Sequence, residues 1–151
     1  MKVRCISTRL TDQQKELMQI RDNRDPHYRS TFILNKDYVV LGITYLIGES
    51  WNTPLYQLRN KIFNYCISVP ACLFEIIDSR SSIFWQARQE FPSFKLWPTE
   101  FYQDFFHDDL SEGIPYVKRI FDSVVDRLTY EFEDATQGLP DPLAWPFEEY
   151  K

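Results

Sequence analysis

The clearest pattern of hydrophobic and polar positions lies near the C-terminal end of the chain. From Pro115 onward, apolar residues recur every three or four positions, which is the spacing of one helix face. Proline suits the first position of a helix, because its missing N–H would have no partner there. The pattern predicts a long amphipathic helix with Val117, Ile120, Phe121, Val124, Leu128 and Phe132 inward and with Lys118, Asp122, Arg127 and Glu131 outward.

Four earlier segments have the pattern of β-strands. Residues 37–47 are rich in Val, Ile and Tyr, which favours a central strand that is covered on both faces for part of its length. The runs 55–59 and 62–68 flank the polar pair Asn60-Lys61, an arrangement typical of an antiparallel hairpin. The alternation of residues 73–78 predicts a fourth strand.

Three shorter helices are predicted around these strands. Thr11 can cap a helix that runs to about residue 21, and Pro98 can open another that stops near residues 107–109. Before Pro98, four-residue apolar spacing predicts a helix over 79–91, carried by Ile83, Ala87 and Phe91. Strands followed by helices indicate an α+β domain, with an antiparallel sheet of about four strands and helices packed on one face.

One globular domain accounts for the whole chain, residues 1–151. Its 151 residues are 44% hydrophobic and 17% aromatic, which predicts a core built largely from rings. The final stretch, QGLPDPLAWPFEEYK, holds three prolines and cannot form a regular helix. Because Leu143, Trp145 and Phe147 favour burial, we expect an ordered tail against the body, although Trp145 and Phe147 could equally pair two copies.

The net charge of −5 is unevenly distributed along the chain. Residues 1–36 hold eight Lys or Arg against four Asp or Glu, or +4, so residues 37–151 carry nine against eighteen, or −9. An acidic body repels nucleic-acid backbones and attracts basic proteins. The charge therefore disfavours a nucleic-acid partner and favours a basic protein partner.

Hydropathy bears on the location of the protein. The longest mostly apolar run, residues 39–48, is too short for the roughly 20 residues that span a bilayer, so we expect no transmembrane helix and no membrane partner. The first residues, MKVRCISTRL, lack the continuous apolar stretch of a secretory signal. The expected location is the cytoplasm.

The sequence contains no signature of catalysis. Its three cysteines form no Cys-x-x-Cys pair and have no histidine nearby, which indicates buried free thiols and argues against a disulfide framework or a zinc site. It has no Gly-x-Ser-x-Gly motif and no glycine-rich phosphate loop. His27 could act as a general base, but a loop histidine is usually only solvated. We expect a protein that is not an enzyme and that uses no cofactor.

The densest polar cluster lies in residues 99–115, which hold five acids and no Lys or Arg. On one continuous helix, Asp104, His107 and Asp108 would share a face. Two carboxylates and an imidazole could then bind a divalent cation, as in a small metal-dependent hydrolase.

The same cluster has a simpler interpretation as a solvated helix end. Asp108, Asp109 and Glu112 lie near the start of the next predicted helix, where the helix dipole favours negative charge. Asp109 or Ser111 could also cap that helix. Surface carboxylate clusters are commoner than catalytic sites, which favours this interpretation.

Three stretches give the chain a family resemblance. They are YVVLGI in residues 38–43, LFEIIDSRSSIFWQAR in residues 73–88 and LWPTEFYQDFFHDDLSEGIP in residues 96–115. In texture and order the chain resembles, over about residues 37–132, the small bacterial immunity proteins of polymorphic toxin systems such as contact-dependent growth inhibition. The resemblance implies a cytoplasmic protein that binds a cognate secreted toxin domain, frequently a nuclease, and covers its active site without catalytic residues of its own.

Charge indicates where such a contact surface lies. A nuclease is basic around its substrate groove, so an acidic partner can occupy that groove. The largest local excess of negative charge in the sequence gives the expected partner-binding set: Asp104, His107, Asp108, Asp109 and Glu112. A competing acidic patch comprises Glu131, Glu133 and Asp134. An adaptor or chaperone that binds a secreted effector without inhibiting it would present a similar surface.

Overall fold

The computed structural model describes residues 1–20, 28–46 and 52–133. These residues form eight β-strands, three α-helices and two short 3-10 helices. The strands are β1 Lys2–Cys5, β2 Asp37–Val39, β3 Gly42–Leu46, β4 Pro54–Asn60, β5 Tyr65–Pro70, β6 Phe74–Asp78, β7 Trp85–Glu90 and β8 Ser93–Pro98. The α-helices are α1 Asp12–Leu17, α2 Phe106–Glu112 and α3 Pro115–Glu133, and the 3-10 helices are Ala71–Leu73 and Thr99–Tyr102.

The strands form two antiparallel sheets, ordered β2-β1-β6 and β5-β4-β3-β8-β7. Together with the helices, these sheets confirm the predicted α+β fold class. The strands outnumber the predicted four for three reasons. First, no sequence pattern predicted β1. Second, the predicted strand over 37–47 divides into β2 and β3, which belong to different sheets. Third, residues 85–98 form a hairpin that was not predicted.

The division of the predicted strand over 37–47 follows from two buried residues at its centre. Val40 donates its N–H to the carbonyl oxygen of Met1 at 3.1 Å, whereas Leu41 donates to that of Gln57 at 2.8 Å. Val40 belongs to the core that joins the two sheets, and Leu41 belongs to the core beneath α2 and α3. The chain therefore passes from one sheet to the other between these two residues.

The helix predicted over 79–91 is wrong, because this segment contributes β7 and pairs with β8 from Trp85↔Pro98 to Glu90↔Ser93. The apolar spacing marked no buried face, since Ile83 is 82% exposed and Phe91 is 86% exposed. Trp85 packs half-buried against the core that joins the two sheets, and its Nε1 donates to the carbonyl oxygen of Leu41 at 2.9 Å. Pairing with β8 decides the structure of this segment.

The helix predicted from Pro98 to residues 107–109 is interrupted. A 3-10 helix covers Thr99–Tyr102, the chain is extended at Gln103, and α2 begins only at Phe106. On one continuous helix, positions 101 and 106 would point about 140° apart. The break brings both rings into one core, where Phe101 and Phe106 stack at 5.1 Å.

The predicted long helix is confirmed as α3, Pro115–Glu133. Its apolar stripe is buried except for the half-buried Ile120. Three residues of the predicted outward face bond to other elements instead: Asp122 to Arg59 at 3.0 Å, Arg127 to Glu100 at 3.0 and 3.1 Å, and Glu131 to Ser82 at 2.6 Å. Polar contacts therefore reinforce the packing of α3.

The structure also confirms the hairpin β4–β5 and the cap of α1. The hairpin turn covers residues 61–64 rather than the predicted pair, and Asn60 Oδ1 accepts the N–H of Ile62 at 3.0 Å. Thr11 Oγ1 accepts from the N–H of Gln14 at 3.1 Å, and α1 ends at Leu17, earlier than predicted. The tail expected over residues 137–151 lies outside the described residues.

Candidate functional site

The α2 acidic surface consists of four carboxylates, on α2 and in the turn before it: Asp104, Asp108, Asp109 and Glu112. Asp104 lies in the turn before α2, and the other three lie on α2. None of them has a hydrogen-bonding or ion-pairing partner for its side chain among the described residues. Asp78, by contrast, is paired with Arg80 at 2.6 Å, and Glu100 with Arg127. The α2 acidic surface is thus available to a partner.

The pKa values of the paired acids show that their Arg partners stabilise the ionised carboxylates. The side-chain bond from Arg80 lowers the pKa of Asp78. Burial is the largest single influence on the pKa of Glu100 and would raise it, but the hydrogen bonds and positive charge of Arg127, together with a backbone hydrogen bond, outweigh burial and leave this pKa lowered. These carboxylates are held as structural anions, and such an anion has little attraction left for a partner.

Phe105 precedes α2 and has an unusual backbone conformation. Its φ of 60° and ψ of 9° are left-handed, a conformation that costs a non-glycine residue about 1–2 kcal/mol. The neighbouring Phe106 is buried, whereas the Phe105 side chain is 73% exposed. The fold therefore holds a strained residue whose ring points to solvent between Asp104 and Asp108 in the chain.

His107 lies among rings behind the acidic surface. Its imidazole makes edge contacts with Trp97 at 5.0 Å, Phe101 at 5.3 Å and Phe106 at 5.5 Å. Burial lowers the pKa of His107, and Lys95 lowers it further, so the ring is neutral at pH 7. Its Nε2 is buried and has no hydrogen-bonding partner among the described residues. His107 is therefore placed as a packing group behind the carboxylates.

A cleft of about 380 Å³ separates the turn before α2 from the β7–β8 hairpin. Asp104, His107 and Asp108 line this cleft, whereas Asp109 and Glu112 do not. Arg88 and Lys95, which are remote in sequence, line its other side. The stretch that lacks a base in the sequence thus has two cations near it in the fold.

The two cations of the cleft contact rings and form no ion pair with any described carboxylate. The Arg88 guanidinium lies 4.1 Å from the ring centroid of Tyr102, and the Lys95 ammonium lies 4.7 Å from that of Trp97. Acids and bases of the cleft remain separate, so the carboxylates are not neutralised by contact.

The structure does not bring Asp104, His107 and Asp108 together as metal ligands. Across residues 1–20, 28–46 and 52–133, no group of three His, Cys, Asp or Glu side chains could hold a metal ion. Asp104 precedes α2, so the helical spacing that would place the three side chains on one face is never formed. The metal-dependent hydrolase hypothesis loses its ligand set.

The predicted cap of the long helix is also wrong. Asp109 and Ser111 both lie inside α2, and Ser111 Oγ donates to the carbonyl oxygen of Asp108 at 2.7 Å. Helix α2 ends at Glu112, and the following Gly113 caps it with a left-handed φ of 80°. Ile114 donates its N–H to the carbonyl oxygen of Asp109 at 3.0 Å. Asp108 and Asp109 stand in the first turn of α2, where the helix dipole favours them.

The remaining candidates contribute little within the described part of the chain. Glu131 accepts from the Ser82 hydroxyl and from the N–H of Ile83 at 2.8 Å. One of the three acids of the competing patch is therefore already hydrogen-bonded within the fold. Asp134 of that patch and the candidate base His27 lie outside the described residues. The described helices include none with the length and apolar character needed to cross a membrane.

The three cysteines are free, as predicted. Cys5 is buried, whereas Cys66 and Cys72 are half-buried. Burial raises the pKa of Cys66 to about 12 and also raises the pKa of Cys5 and of Cys72. A thiol with a raised pKa is a poor nucleophile at neutral pH, so none of them is an activated cysteine.

Two features of the site escaped the sequence. An exposed Phe105 beside a buried Phe106 has no periodic signal, since both belong to one run of apolar rings in the chain. Arg88 and Lys95 reach the cleft only through the pairing Arg88↔Lys95 of β7 with β8.

No protein-family model, curated protein or solved structure matches the chain.

Proposed function

We propose that this protein is a cytoplasmic immunity protein, which binds a cognate secreted toxin domain and covers its active site. The toxin domain is proposed to be a nuclease with a basic substrate groove. The observation that carries the proposal is the exposed ring of Phe105, held in a strained conformation between the unpaired carboxylates of Asp104 and Asp108. Strain that persists at an exposed aromatic residue is typical of a binding site.

The proposed mechanism divides the work between charge and rings. Four unpaired carboxylates attract the basic groove from a distance and raise the rate of association. The ring of Phe105 then provides an apolar anchor that loses its water in the complex. Fixed negative charges occupy the positions at which the phosphates of the nuclease substrate would bind.

Rigidity of the support favours tight binding. Phe106 and Leu110 anchor α2 in the core, and Gly113 closes its C-terminal end. His107 contributes a third buried contact through its ring neighbours. A surface that is already ordered loses little conformational entropy when a partner binds.

The proposal is tested with the C-terminal domain of the protein encoded immediately upstream. Purified chain should bind this domain and abolish its nuclease activity. The charge reversal Asp108→Lys with Asp109→Lys should slow association, and Phe105→Ala should speed dissociation by tenfold or more. Asp126→Lys, at an exposed acid on α3 that faces β1 and β2, matches the charge change of each single reversal, Asp108→Lys or Asp109→Lys, and is compared with these single variants.

Each outcome bears on the proposal. Failure to bind the upstream domain would contradict it. Binding that leaves the nuclease fully active would replace the immunity function with that of an adaptor or chaperone. Equal effects of the α2 reversals and of Asp126→Lys would remove the α2 acidic surface from the interface.

A further inference from the structure

Strand β7 is the last strand of the five-stranded sheet, and its outer edge is unpaired among the residues that the structure describes. In the order β5-β4-β3-β8-β7, its one partner among the described strands is β8. Five of its six residues, from Gln86 to Glu90, are exposed. An edge strand carries a row of N–H and C=O groups that can pair with another chain.

Charged side chains on an edge strand usually prevent such pairing. Here the two charged residues are of opposite sign, Arg88 and Glu90, and they stand two positions apart on the same face of β7. Opposite charges at this spacing prevent most pairings of the strand with itself but favour one of them.

In a two-fold symmetric antiparallel pair, the facing residues are fixed by the residue on the axis. With Gln89 on the axis, Arg88 of each copy faces Glu90 of the other. If the axis lies between positions 88 and 89, Ala87 faces Glu90, and if it lies on Arg88, the two Arg88 residues face each other. Neither register places Arg88 opposite Glu90. We propose that β7 pairs with β7 of a second copy of this chain, with Gln89 at the two-fold axis.

The opposite face of β7 supports the same register. Phe91 follows the strand and is 86% exposed, and in this register it lies opposite Ala87 of the other copy. Phe94, the β8 partner of Gln89, is 38% exposed on the neighbouring strand. Pairing therefore covers exposed apolar surface on one face and forms two Arg–Glu pairs on the other.

We choose a second copy of this chain as the partner of β7 because the charges of the strand complement those of an identical strand, with Arg88 opposite Glu90. A two-fold contact uses each pair twice, so this register supplies two Arg88–Glu90 ion pairs and two contacts of Phe91, which follows the strand, with Ala87. The two five-stranded sheets become one continuous sheet across the axis. The argument uses β7 alone and does not rest on the proposed toxin partner, although Arg88 and Glu90 also line the cleft beside the α2 acidic surface.

The first experiment is sedimentation equilibrium of the full chain over a wide range of concentration. The wild-type chain should show a reversible monomer–dimer equilibrium. Arg88→Glu and Glu90→Arg each place like charges opposite one another twice, and should raise the dimer dissociation constant by roughly tenfold. The double variant restores two opposite-charge pairs and should recover the wild-type constant.

Controls separate pairing from folding and from net charge. Arg119→Glu reverses an exposed charge on α3 and should leave the dimer unchanged. Thermal unfolding monitors each variant, since Arg88→Glu also loses the contact with Tyr102. Glu90→Arg loses no described ion pair and tests the register even if Arg88→Glu fails to fold.

The second experiment places a cysteine on the proposed axis. Residues directly opposite in an antiparallel pair lie within disulfide distance. Under mild oxidation, Gln89→Cys should form a covalent dimer, whereas Gln86→Cys and the wild-type chain should not. A chain that stays monomeric at every concentration, a double variant that is not restored, or equal cross-linking of Gln89→Cys and Gln86→Cys would overturn the proposal.

Discussion

At the scale of single residues, Phe105 connects backbone strain to the proposed function. Its left-handed conformation lies in the turn between two buried rings, those of Phe101 and Phe106. Glycine or asparagine would adopt this conformation at lower cost. A phenylalanine there loses stability without burying its ring, which is the pattern expected of a residue kept for binding.

The first prediction concerns this strain. Phe105→Gly should be about 1 kcal/mol more stable than Phe105→Ala, because glycine has no Cβ to clash in the left-handed region. Both variants should bind the toxin domain more weakly than the wild-type chain. Chemical denaturation measures the free energy of unfolding, and equal stability of the two variants would show that the turn is not strained.

The second prediction concerns His107, whose folded-state pKa is lowered by burial. Between its unfolded and folded pKa values, the unfolded chain binds the proton and the folded chain does not. The free energy of unfolding should therefore decrease as pH falls below about 6.5, the ordinary pKa of histidine.

His107→Phe is the variant that tests this effect. A phenyl ring fits among the neighbouring rings and does not titrate, so its stability advantage over the wild-type chain should grow as pH falls from 7 to 5. Unfolding by denaturant at several pH values measures the difference. A difference that is independent of pH would contradict the assigned burial of the imidazole.

At the scale of elements, the close approach of β3 and β8 sets the position of the cleft. A Cβ at Gly42 would lie 2.7 Å from Trp97 Cδ1 and 2.9 Å from the carbonyl oxygen of Leu96. Trp97 Nε1 donates to Thr44 Oγ1 at 3.0 Å, which fixes the indole over β3. The same indole contacts the ring of His107, so Trp97 links the paired strands β3 and β8 to the helix that carries the α2 acidic surface.

The third prediction follows from this contact. Gly42→Ala should destabilise the protein by about 1–3 kcal/mol, because backbone and indole must both shift to admit a methyl group. Tryptophan fluorescence should change with the displacement of Trp97. Ala87→Ser adds one heavy atom at an exposed position of β7, so it is a control of similar size change and should leave stability almost unaltered.

At the scale of the whole molecule, the net charge of −5 acts together with its placement. Many acids of the fold are paired with Arg or with hydroxyl and amide donors, as Asp37, Asp122 and Glu131 show. The unpaired carboxylates around α2 therefore contribute strongly to the field that a basic partner meets first. Arg88 and Lys95 restrict this field to one side of the cleft.

The fourth prediction concerns ionic strength. Association with the basic toxin domain should slow as salt is raised, since charges further apart than roughly 10 Å are screened at 0.1 M. Stopped-flow mixing measures the rate constant. Asp108→Lys with Asp109→Lys should show a weaker salt dependence than the wild-type chain, and a rate constant insensitive to salt would exclude steering by charge.

The sequence by itself determined the elements whose signals are local. Helix α3 follows from a regular apolar period, the β4–β5 hairpin from two strand patterns around a polar turn, and the cap of α1 from Thr11. It also determined that the acids of residues 104–112 are clustered with no base among their neighbours in the chain. Only the fold shows that these acids are unpaired among the described residues, since Glu100 of the same base-free stretch pairs with Arg127.

Only the tertiary structure decided what depends on distant partners. Residues 79–91 have a helical period, yet β7 forms because β8 offers it a pairing edge. The predicted helix after Pro98 breaks because Phe101 and Phe106 must enter one core, and that break exposes Phe105. Periodicity reports which side chains favour burial, but the partner that buries them is chosen by contacts between remote segments, which no local pattern contains.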